Sequence, residues 1–220
     1  IRSLEGEEVE GDPGPRYAFP FDGWRILNQP TTRMINRGQW LFTVGHRFVP
    51  RLTSGYGSLF GLDGSGAIFL NLGYAPTNDL LVSLGRGNAG DHVEAAVKWR
   101  PLRQAIGNGS PIGLAARTAL DWKTEAGEDE SIYEGRMVSW TGQLTISRQL
   151  SNAVGLVAVP GLTVNPGFDQ AAGEPALWTL GLGGRWKFYR NFSLLAEWTP
   201  VLSGFTRTRT LGEVNRFDSF

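Results

Sequence analysis

The sequence predicts an all-β chain, a transmembrane antiparallel up-and-down β-barrel of about 10–12 strands. Three observations carry that prediction: alternation along the strands, the sorting of the connections, and the placement of the aromatic residues. In the stretch 112–123, Ile112, Leu114, Ala116, Thr118, Leu120 and Trp122 alternate with Gly113, Ala115, Arg117, Ala119, Asp121 and Lys123. The stretch 138–147 repeats the pattern, with Val138, Trp140, Leu144 and Ile146 set against Ser139, Thr141, Gln143, Thr145 and Ser147. Successive side chains on a strand point to opposite faces, so each of these strands has one apolar and one polar face. A soluble barrel or sandwich buries the apolar face, whereas a membrane barrel turns it to lipid and its polar face to the lumen. The inverted arrangement is the one expected here.

Taken in order, residues 1–30 form an acidic, Gly/Pro-bearing tail in which Glu5, Glu7, Glu8, Glu10 and Asp12 show no periodicity. Tyr17, Phe19, Phe21 and Trp24 follow and give the tail aromatic anchors. Inside a barrel it would be a plug; below one, a periplasmic lead-in. Both readings stay open from sequence alone. Residues 31–220 are expected to form the barrel. Its strands fall at about 39–48, 66–74, 80–87, 92–100, 111–123, 137–148, 153–164, 177–188 and 192–201, with a tenth starting near 217.

The connections between these strands alternate long and short. Segments 49–65, 124–136, 165–176 and 202–216 are long; 75–79, 149–152 and 189–191 are short; 101–110 is intermediate, and only the short 88–91 breaks the alternation. Outer-membrane barrels show this asymmetry, with turns on the periplasmic side and loops outside. With strand 39–48 running up from the turn side, Trp40, Trp99, Trp186, Phe188 and Phe192 lie low, while Trp122, Trp140 and Trp178 lie high. That arrangement predicts two girdles of interface aromatics. Ten residues at ~3.3 Å rise and ~40° tilt span about 25 Å, the height of the lipid-facing band.

Composition narrows the function classes. Lysine plus arginine and aspartate plus glutamate number 21 each, which leaves no electrostatic case for nucleic acid. Cysteine is absent, so disulfides, thiolate metal sites and cysteine nucleophiles are excluded. No run approaches the ~18 apolar residues of a transmembrane helix. The start at Ile1 reads as a processed or trimmed chain.

Two short segments resemble an uncharacterised bacterial outer-membrane β-barrel family known only as a domain of unknown function. They are Asn28-Gln29-Pro30-Thr31-Thr32-Arg33-Met34-Ile35-Asn36 with Gly45-His46-Arg47-Phe48, and Phe60-Gly61-Leu62-Asp63 with Leu102-Arg103-Gln104. The resemblance covers most of 28–220 and implies an outer-membrane barrel of unestablished activity; it hands over no catalytic residue. It also implies further strands after Phe220, in keeping with the even strand number of single-chain bacterial barrels. The sequence is therefore expected to stop short of the complete barrel.

The inward parity carries Arg47, His92, Glu94, Lys98, Arg100, Arg117, Asp121, Arg185, Lys187 and Glu197, the candidate lumen lining. Mixed charge could line a water-filled pore or close it through ion pairs across the lumen. His46 and His92 lack a third metal ligand and are both expected to be solvated. Ser139 and Ser193 face inward with no histidine to match, so no catalytic site and no enzyme are expected. Gly85-Arg86-Gly87-Asn88-Ala89-Gly90 precedes no helix and reads as a hairpin turn rather than a phosphate loop. Glu125, Glu128, Asp129 and Glu130 read as a solvated loop tip. Arg86 and Arg148 break the apolar parity only at strand ends, where long side chains snorkel. No cofactor and no metal are expected.

The leading expectation is a porin-like channel for small solutes in a bacterial outer membrane. The second is a scaffold barrel with a filled lumen in an envelope complex, with periplasmic or surface protein partners reading the tail and loops. The third is a soluble calycin-like ligand-binding barrel. Outer-membrane lipid is the partner implied by the first two.

Overall fold

The computed structural model describes residues 16–48, 55–61, 66–88, 91–107, 109–125, 137–166 and 176–204. Ten strands form one sheet: β1 (Trp40–Phe48), β2 (Gly66–Thr77), β3 (Leu80–Gly87), β4 (His92–Leu102), β5 (Gly113–Lys123), β6 (Val138–Gln149), β7 (Val154–Val164), β8 (Leu177–Tyr189), β9 (Phe192–Trp198) and β10 (Val201–Ser203). From β1 to β8 each strand pairs antiparallel with the next in sequence. The first eight of the nine expected strands are therefore observed as an up-and-down meander, joined by the expected long and short connections. The tenth strand expected near 217 lies outside the described residues.

β9 and β10 run along the same edge of β8. Leu182 faces Trp198 and Thr179 faces Val201, with the Pro200 carbonyl between them accepting from the Leu180 amide at 3.1 Å. The strand expected at 192–201 is thus divided at Thr199–Pro200, because proline has no N–H to give to a ladder. Among the described residues no pairing joins β1 to β9 or β10, so the sheet is open there.

The apolar faces are the exposed ones. On β5, Gly113, Ala115, Arg117, Ala119 and Asp121 are buried, while Thr118, Leu120 and Trp122 are exposed. On β4, His92, Glu94, Ala96, Lys98 and Arg100 are buried and Val97 and Trp99 exposed. Leu70, Leu72, Leu84, Leu144, Leu156 and Leu182 continue the exposed apolar surface across the sheet. This is the reverse of a soluble β-protein and matches the inversion expected from sequence.

The polar face is buried by the chain itself. Residues 16–36 lie across it from β4 to β9. The Ala18 amide donates to the Gln104 carbonyl at 2.9 Å, and Tyr17 bridges Ala105. Phe21 then packs on Val157 and Val159 of β7, with Ile26 beside them, forming the small apolar core on this face. Trp24 to Thr31 double back as a tight hairpin, closed by Ile26 N to Gln29 O and Thr31 N to Trp24 O, both 3.0 Å. Thr32 continues to β6, its hydroxyl 2.5 Å from that of Ser147.

Close approach of this segment to the wall requires glycine at the points of contact. A Cβ at Gly155 would stand 2.2 Å from the carbonyl oxygen of Pro20, a backbone atom that cannot swing away. Gly155→Val is therefore expected to lift the segment off β7. Overpacking of this kind costs about 1–3 kcal/mol, enough to raise the released population by roughly tenfold. Limited trypsinolysis of folded protein in detergent should cut after Arg25 and Arg33 correspondingly faster, while the barrel retains its heat-dependent gel mobility.

Candidate functional site

The buried polar face holds an ionic network built by strand register. Glu94 faces Asp121 across β4–β5, and Lys98 faces Arg117 four residues further down, with Ala96 and Ala119 between them. Arg117 donates from Nη2 to Glu94 Oε2 at 2.6 Å and from Nη1 to Gln143 Oε1 at 3.4 Å. His92 Nε2 lies 3.8 Å from Asp121 Oδ1, and its ring stacks on Phe69 at 6.0 Å. Charges this deeply buried persist only when paired and well hydrogen-bonded, because each loses its hydration.

The remaining interior charges grip the N-terminal segment. Lys98 Nζ donates to the carbonyls of Arg33 (2.9 Å) and Trp24 (3.3 Å), and Arg100 Nη1 to that of Thr32 (3.2 Å). Arg185 Nη1 pairs with Asp22 at 2.9 Å. From the opposite edge, the Glu197 carboxylate accepts the amides of Leu27 (3.1 Å), Asn28 (2.8 and 3.0 Å) and Gln29 (3.1 Å) at the tip of the 24–31 hairpin. Gln29 Nε2 also donates to the Thr199 hydroxyl. Main-chain groups that would otherwise be desolvated are satisfied by charged side chains of the wall.

At the turn side, Asp79 joins the two-residue β2–β3 turn to the β4–β5 connection. It accepts from Arg100 Nε at 2.9 Å and from Arg103 at 3.0 Å (Nε) and 2.6 Å (Nη2), the latter a two-pronged fork. Partial burial opposes the charge on Asp79, but hydrogen bonds from Arg103 and then Arg100 outweigh it and hold the carboxyl below its ordinary range. The same bond raises Arg103.

The structure brings His92, Glu94, Lys98, Arg100, Arg117, Asp121 and Arg185 together on the buried face. Glu197 is half-buried on the same face, Lys187 is exposed at its turn-side end, and the side chain of Arg47 lies outside the described residues. His92 differs from expectation: it is buried rather than solvated, because the Phe69 ring and the neighbouring strand cover it. His46 is exposed, on the apolar face of β1. Trp40, Trp99, Trp122, Trp140, Trp178, Trp186, Phe188 and Phe192 are all exposed on that face, near strand ends. Arg86 sits at the end of β3, paired with Asp91 at 2.9 Å. Glu125 is exposed, whereas Glu128, Asp129 and Glu130 lie outside the described residues.

Sequence reasoning named Phe21 as an aromatic anchor but missed the residues that receive it, Val157 and Val159, although β7 signalled them. Its run Ala153-Val154-Gly155-Leu156-Val157-Ala158-Val159 is apolar on both parities, which in a two-faced strand means that something apolar lies on the inner side. It also missed Asp22, Asp79, Arg103 and the Gln104 side chain, which donates to the Gln149 carbonyl at 3.0 Å and accepts from the Gln149 main-chain amide at 2.7 Å. Arg103 and Gln104 lie in one of the short motifs noted above, and Asn28–Asn36 of the other is part of the inner segment itself.

An antiparallel sheet with an exposed apolar face and a sealed polar one defines a membrane β-barrel. Residues 21–217 match the sequence profile of the family described as a membrane bound beta barrel domain (DUF5777), whose function is unknown. The chain belongs to that family. Neither a curated protein nor a solved structure shows significant similarity to it.

Two measurements probe the site's energetics. Arg117→Met strands the buried Glu94 and is expected to cost about 3–5 kcal/mol in denaturant unfolding, part of which the double variant with Glu94→Gln recovers. Because the Asp79 carboxyl is lowered, its stabilisation is present above the ordinary carboxylate pKa and lost as pH falls through the lowered value. The gap in thermal midpoint between the wild type and Asp79→Asn should therefore be open at pH 7 and narrow progressively below about pH 4.

Proposed function

We propose that this barrel resides in a bacterial outer membrane and is a porin-like passage for small polar solutes, closed at rest by residues 16–36. One observation carries the reading: the inner segment is held to the wall chiefly by hydrogen bonds and ion pairs, through Lys98, Arg100, Arg185 and Glu197. A permanent filling would be expected to pack through a broad apolar core, whereas among the described residues the apolar cluster that the segment shares with the wall is small: Phe21 and Ile26 against Val157 and Val159. Polar contacts exchange readily with water once one of them opens, so such a segment can leave without exposing much apolar surface. Aromatic residues near both ends of the strands support placement in a bilayer, and the reading assigns no catalytic residue.

The scaffold reading has its own support in the number of described interior charges that hold a partner, Lys98, Arg100, Arg117, Arg185 and Glu197 among them. Planar-bilayer recordings separate the two. The wild type should show brief or rare openings. Glu197→Gln, which weakens the grip on the hairpin tip, should raise open probability, and deletion of 16–36 should give a steady conductance. A deletion variant that folds, judged by gel mobility before and after boiling, yet stays silent would leave the scaffold role in its place.

A further inference from the structure

The charge on the buried face is not evenly spread along the barrel axis. The described acids Glu94 and Asp121 lie toward the loop end, while Lys98, Arg100 and Arg103 follow one another down β4 and into its connection at the turn end. Arg33 adds to them, since it follows Thr32, whose carbonyl accepts from Arg100 at 3.2 Å. Against these guanidinium groups Asp79 supplies a single negative charge.

A cleft of about 530 Å³ opens at this point, lined by Tyr17, Asp79, Arg100, Arg103, Gly109 and Ser110. Every donor nitrogen of Arg100 is engaged, by Asp79, Thr32 and Asn78. Arg103 is different. Its Nε and Nη2 are taken by Asp79, but no acceptor among the described residues meets its Nη1. Tyr17 lies over the Arg103 guanidinium at 5.1 Å, which fixes the plane of the group at the cleft wall. Surplus positive charge, a preset guanidinium with a free donor, and room for a ligand together form the usual receptor for an oxyanion.

We propose that this turn-side cleft is a phosphate-binding site, with Arg103 the principal donor and Arg100 the fixed positive charge behind it. The ligand is a phosphate group, carried either by a lipid headgroup at the membrane surface or by a small solute. The site stands whether or not the lumen opens. It also places Asp79 in an unexpected role: the carboxylate competes with the ligand for Arg103, so removing it should strengthen binding.

Equilibrium dialysis of the folded chain against inorganic phosphate, in detergent and in nanodiscs of phosphatidylcholine or phosphatidylglycerol, tests the proposal. The wild type should bind phosphate saturably in detergent. Arg103→Gln should weaken that binding by about tenfold, and Asp79→Asn should tighten it, a gain that a misfolded or merely destabilised chain cannot produce. Loss of phosphate binding in phosphatidylglycerol discs, with retention in phosphatidylcholine discs, assigns the site to a lipid headgroup. Retention in both assigns it to a soluble phosphate. No binding to the wild type in detergent, or Asp79→Asn binding more weakly than the wild type, overturns the proposal.

Discussion

The structure depends on a constraint set by the solvent rather than by any one contact. In hydrocarbon an unpaired peptide group costs several kcal/mol, so a chain crossing it as strands must satisfy each N–H and C=O against a neighbour. The uninterrupted antiparallel ladder from β1 to β8 is one answer to that demand. Once the ladder carries the polar backbone, the side chains divide by parity. Leu72, Leu84, Leu120 and Leu144 turn outward because nothing there competes for them except lipid, and Glu94, Arg117 and Asp121 turn inward because only the interior offers them partners.

That division creates a second problem, which the chain solves with its own N-terminal segment. Ten strands leave more room on the polar face of the sheet than its inward side chains fill. Residues 16–36 occupy the space as main chain, and main chain brings its own amides and carbonyls into the interior. The wall answers in kind. Glu197 covers three successive amides, Lys98 and Arg100 cover carbonyls, and glycines such as Gly155 let the backbone approach. A charged lumen and a polar inner segment are thus two sides of one arrangement.

Much of this was legible in the sequence because period-two alternation is a strong local signal. Strand positions, the inversion of faces and the sorting of long and short connections follow from reading parity along 112–123 and 138–147. The path of residues 16–36 was not legible. Its hairpin is stabilised by Glu197, some 170 positions away, and no local pattern encodes a partner so distant. The burial of His92 escaped for a similar reason, since the ring covering it belongs to Phe69 on β2, not to the strand beside it in sequence. The break at Thr199–Pro200 was visible as a proline, yet the continuation of pairing beyond it depends on β8.

The most direct test of the account is the phase of the alternation in a lipid bilayer. The chain contains no cysteine, so a single introduced thiol carries a spin label to a unique place. Labels set one at a time at positions 116 to 121 of β5 should show high collision rates with dissolved oxygen at 116, 118 and 120 and low rates at 117, 119 and 121. Maxima at the odd positions, or no alternation at all, would contradict it.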